Sequence, residues 1–110
     1  MTAQVQLQEL LNDLTDGGGP VLETLGRMNA DALQHSGLDE RTALMARISA
    51  LVALDASPGS YLVHLGMADQ IGIAAEDIRA VLVELAPVVG SARIVSAAAN
   101  IERAIQLASG

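Results

Sequence analysis

Apolar residues recur along this chain every three or four positions and nowhere alternate as a strand would require. Val5, Leu7, Leu10, Leu11 and Leu14 form a first stripe. It stops at Asp16-Gly17-Gly18-Gly19, which cannot continue a helix cheaply and is read as a flexible joint. A second helix is predicted from Pro20, suited to a first turn, through Leu22, Leu25, Met28, Ala32 and Leu33 to a stop at Gly37. Asp39 opens a third, which carries Leu44, Ile48, Leu51 and Val52 to about Asp55. Ser57-Pro58 signals a fourth, with a serine N-cap and proline in the first helical position, ending at Gly72. The fifth runs from about Ala75 through Ile78, Leu82 and Leu85, with Glu76 and Asp77 at its positive dipole end. Pro87 is expected to kink or end it. Ser91 is expected to cap a sixth helix with Ile94, Ala98, Ile101 and Ile105 on one stripe. The pattern predicts an all-α bundle of about six short helices. It divides into an N-terminal helix with its glycine joint (residues 1–19) and a helical domain (residues 20–110). The first helix, beyond the joint, could fold over a neighbouring subunit.

Composition adds what the pattern does not show. Of the 110 residues 51% are hydrophobic, yet Tyr61 is the single aromatic, so the core must come from Leu, Ile, Val, Met and alanine. Few charges on a small apolar domain leave apolar surface over, which predicts a homo-oligomer. The six cations are all arginines, scattered among 13 acids for a net charge of −7, so nucleic acid is not an expected partner. With no cysteine, disulfides, thiolate metal sites and thiol redox catalysis are all removed. The two histidines have no clustered acids at ligand spacing, so neither a metal nor another cofactor is expected. MTAQVQLQEL lacks the basic-then-apolar order of a signal peptide, and no apolar run approaches the ~18 residues of a membrane span. The default expectation is a cytoplasmic protein with no membrane contact.

An ordered set of features carries a family resemblance. LDERTALMARISALVAL opens helix three, His64 follows inside helix four, and Gly72, Glu76, Asp77 and Ile78 come next. Gly90 then precedes an alanine-rich last helix. Over roughly residues 20–105 this resembles the carboxymuconolactone decarboxylase family, which includes the alkylhydroperoxidase D proteins. The resemblance implies an all-α fold and obligate trimers or hexamers with pockets near subunit contacts. The peroxidase branch carries Cys-x-x-Cys-x-x-x-His, and those positions here hold Ser57, Ser60 and His64. The glutamate position twelve residues upstream holds Met45. A serine hydroxyl cannot cycle through sulfenic acid and disulfide, so thiol peroxidase chemistry is excluded. The decarboxylase branch needs neither cysteine nor cofactor and acts on a lactone acid, with the histidine as proton carrier. Val88-Val89-Gly90-Ser91-Ala92 replaces that branch's loop after helix five.

His64 is therefore the candidate general acid or base, against a core histidine bonded to backbone. Ser60, one turn earlier, either joins it as a nucleophile, orients it or lines a pocket. Ser57 reads as the N-cap, with a loss of about 1 kcal/mol expected on change to alanine. Arg47, in an apolar helix, either grips a substrate carboxylate or forms a salt bridge with an acid such as Asp55 or Glu84. Glu84 is an ion-pair partner or a site carboxylate. Tyr61 is expected to pack at a subunit contact with its hydroxyl at the edge. His35 should be solvated at a helix C-terminus, and Met28, Met45 and Met67 read as core filler. Two functions follow: a cofactor-free lyase acting on a small carboxylate or lactone, or a catalytically silent oligomeric binding or assembly member.

Overall fold

The computed structural model describes residues 3–15 and 19–109. Among them the chain forms six helices: α1 (Ala3–Thr15), α2 (Gly19–Ser36), α3 (Glu40–Leu54), α4 (Pro58–Gln70), α5 (Ala75–Val89) and α6 (Ser91–Ser109). The described residues contain no strand, and the architecture is all-α. The joint expected at residues 16–18 lies outside the described residues, while Gly19 opens α2 at φ 64.

Local chemistry sets most helix ends. Asp39 caps α3: its carboxylate accepts from the Thr42 N–H at 2.8 Å and from the Thr42 hydroxyl at 3.0 Å. Gly37, Gly72 and Gly90 adopt positive φ where the chain turns out of a helix, as their lack of a Cβ permits. Asp55 does the same at φ 57 and closes α3. Its carboxylate is held there by the Ser96 hydroxyl at 2.6 Å and Arg93 at 3.4 Å, both on α6. Of the two outcomes expected at Pro87, a kink or an end, the end does not occur, and α5 continues to Val89. The amide that Pro87 lacks would have met the carbonyl of Val83, a solvent-exposed position where water can serve instead. Ser91 is not the cap of α6 but its first residue, following Gly90 at φ 86.

The core lies among α3 to α6. Val52, Tyr61, Ala97, Ile101 and Ala104 form one cluster. Leu44, Ile48, Ala68 and Ile73 form a second, with Met45 and Met67 packed against it. Met28, by contrast, is exposed on α2 and fills no core. Alanine carries much of the α4–α6 contact, which brings these helix backbones close. The α1–α2 pair meets α3–α6 at few points. That arm accounts for a radius of gyration of 15.1 Å, against about 13 Å for a compact chain of this length.

Two caps carry a pH prediction. The Asp39 carboxyl is held below its ordinary range, chiefly by the Thr42 N–H and then by the Thr42 hydroxyl. Asp77 is lowered first by the Ala74 N–H, at 2.9 Å, and then by Arg41, at 3.1 Å. The unfolded chain therefore binds protons at these groups at higher pH than the folded chain does. Their stabilisation is present above the ordinary carboxylate range and lost as pH falls through it. The melting temperature should drop below about pH 4, and less steeply in an Asp39→Asn/Asp77→Asn chain. Identical slopes in thermal melts of the two chains would contradict this.

Candidate functional site

The first turn of α4 sets up the site. Pro58 fixes the entry, and Ser57 has an N-cap backbone at φ −72, ψ 162. Its hydroxyl, however, caps no N–H and lies 3.5 Å from the Ser60 hydroxyl, a long and weak contact. The expected capping loss is therefore absent. Ser57→Ala should cost well under ~1 kcal/mol in urea denaturation.

His64 follows one turn after Ser60. Side chains on a helix lean toward its N-terminus, so the ring folds back along α4. Its Nδ1 meets the Ser60 carbonyl oxygen at 2.8 Å. A carbonyl can only accept, so Nδ1 carries the hydrogen and donates it. In the neutral ring the lone pair is then on Nε2, which has no hydrogen-bond partner among the described residues. The ring is half-buried. Ser60 thus orients His64 through its backbone and not through its hydroxyl, and no Ser–His nucleophilic pair forms.

The remaining candidates do not converge on His64. Arg47 is half-buried but makes no salt bridge among the described residues: its Nη2 donates to the Asn29 carbonyl of α2 at 2.9 Å. It lines a pocket of about 170 Å³ with Leu33, Glu40, Leu44, Met67 and Gln70. Met67 stands one turn after His64, on the neighbouring face of α4. Glu84 is exposed on α5 and pairs with no cation among the described residues. Tyr61 is not at an edge. It is wholly enclosed at 0% exposure in the chain's own core, and its hydroxyl has no partner among the described residues. Loss of solvent, and then the nearby Asp55 charge, raise its pKa above the ordinary phenol value. Removing a buried unpartnered hydroxyl removes a cost, so Tyr61→Phe should leave the melting temperature unchanged or higher. A clear fall would place a partner on that oxygen.

His35 is exposed, with Nδ1 2.7 Å from the Asp31 carbonyl. Among the described residues no group of three or more His, Cys, Asp or Glu could hold a metal ion, and no helix is long and apolar enough to cross a membrane. Sequence reasoning missed Asn29, whose amide also reaches the Met67 sulfur at 3.9 Å. It missed as well a groove of about 460 Å³ between α4, α5 and α6, with Asp69, Arg79 and Glu102 among its lining residues. The one signal for the groove is the stripe Ile78, Leu82, Ile101 and Ile105, which reads equally as core.

The arrangement defines a cysteine-free helical bundle with a single oriented imidazole on its fourth helix. The sequence profile of the Carboxymuconolactone decarboxylase family matches residues 19–103, and the chain belongs to that family. Comparison with curated proteins and with solved structures finds no match.

Proposed function

We propose that the protein is a cofactor-free, decarboxylase-like lyase acting on a small carboxylate or lactone, with His64 as proton carrier. The observation that carries this reading is the 2.8 Å bond from His64 Nδ1 to the Ser60 carbonyl, which leaves Nε2 as the basic nitrogen of a half-buried ring. Loss of carbon dioxide from an unsaturated lactone acid leaves its electron pair delocalised into the ring carbonyl. A proton must then be delivered to carbon. Imidazolium can donate it from Nε2 and recover one from water, while Nδ1 keeps its bond and the ring its orientation.

Arg47 lines a separate pocket that His64 does not reach, and this reading gives it no part in the proton transfer. The protein is read as a cytoplasmic trimer or hexamer. Exposed apolar residues on three helices, such as Leu54, Val88 and Val95, support an assembly that covers them. A monomer in light scattering at micromolar concentration would contradict the oligomer.

One observation favours a second reading, an oligomeric binding or assembly member without turnover: no charged side chain among the described residues pairs with His64. The two separate on a panel of unsaturated lactone acids assayed for carbon dioxide release. Release above background that disappears in a His64→Asn chain supports the lyase, and none from any acid supports the silent member.

A further inference from the structure

The pocket around Arg47 has a polar layout that its structural bonds do not use up. Arg47 and Glu40 both line it. They lie seven residues apart on one face of α3, about 10 Å along the axis. The Arg47 side chain leans back toward Glu40, yet the two form no ion pair. Between and opposite them lie Ala43, Leu44, Leu33 and Met67, with Gln70 at the α4 side. The guanidinium uses one N–H, on the Asn29 carbonyl. That bond and the weak Asn29–Met67 contact are the only side-chain hydrogen bonds tying α2 to α3 and α4 among the described residues. A neutral carbonyl is the weaker acceptor. A carboxylate offers two oxygens and a charge, which makes such bonds roughly twice as strong.

We propose that this pocket binds a small hydroxycarboxylate, its carboxylate on the free N–H groups of Arg47 and its hydroxyl donating to Glu40. An acid without a hydroxyl leaves Glu40 unpaired beside the ligand's own charge, so the hydroxyl is the specificity element. The pocket, about 170 Å³ and open to solvent, has room for a small acid. This goes beyond the preceding reading, because His64 does not line the pocket, and its test is independent of turnover.

The test uses the full chain with 3-hydroxybutyrate, butyrate and butane-1,3-diol, measured by calorimetric titration in both the wild-type and His64→Asn proteins. Expected are binding of 3-hydroxybutyrate to both, butyrate at least about tenfold weaker, and no binding of the diol. Arg47→Met should abolish binding, and Glu40→Ala should bring 3-hydroxybutyrate down to the level of butyrate while the fold stays intact. No binding by wild type, equal binding of 3-hydroxybutyrate and butyrate, or binding unchanged in Arg47→Met would overturn the site. Binding by a wild-type chain that releases no carbon dioxide from any lactone acid leaves this inference standing and removes the lyase reading.

Discussion

His64→Asn is expected to lower turnover of a lactone acid by about 10²–10⁴-fold, the usual contribution of a positioned acid–base group. The choice of asparagine matters. Its amide N–H can replace Nδ1–H at the Ser60 carbonyl, so the local hydrogen bond and the start of α4 are retained while the basic nitrogen is lost. Alanine would remove both and confuse catalysis with packing. The loss should fall on kcat, and the asparagine chain should melt within a few degrees of the parent. An asparagine chain that keeps its rate would show that Nε2 carries no proton, whatever the ring's orientation.

The largest stability effect is expected at Ile48. Its side chain is fully enclosed in the cluster with Leu44, Ala68 and Ile73, where α3 meets α4. Ile48→Ala removes three carbons from a site bordered by helix backbone and other core side chains, which can collapse only partly. The expected loss is about 2–5 kcal/mol, from a total that for a domain this size is about 5–15 kcal/mol. At roughly 4 °C per kcal/mol the melting temperature falls by about 8–20 °C. Ile48→Val should cost only about 0.5–1.5 kcal/mol. Urea denaturation measures both. A loss below ~1 kcal/mol for the alanine chain would mean that this cluster is not a tight core.

The fold was legible because its signals are local. The Asp39 cap acts across three residues, the glycine stops act at their own backbone angles, and the 3.6-residue stripes need only neighbours. The N-cap position of Ser57 was legible for the same reason. The loss of its cap bond was not, because a hydroxyl's direction is a side-chain choice that spacing does not fix. Pro87 did not end α5, and the carbonyl it leaves without an amide belongs to Val83, which faces solvent.

The site was half legible. His64 and its proximity to Ser60 follow from a spacing of four, but that spacing serves the Ser60 hydroxyl and the Ser60 carbonyl equally well. The sequence left hydroxyl and backbone carbonyl both open as partners, and the fold chose the carbonyl. Arg47 was expected to find an acid because buried arginines usually do. Its acceptor is instead a backbone carbonyl on another helix, and every residue has one of those. Tyr61 was placed at an edge because tyrosine is amphipathic. In a chain with one aromatic, it is the largest side chain available to fill the space between α4 and α6.

The central claim concerns one proton, on His64 Nδ1. Nitrogen NMR of the imidazole, recorded well above the ordinary histidine range so that the ring is neutral, reads it directly. The account predicts a protonated Nδ1 and an unprotonated Nε2 for His64, unchanged in a Ser60→Ala chain because the acceptor is backbone. A His64 ring protonated at Nε2 would contradict it.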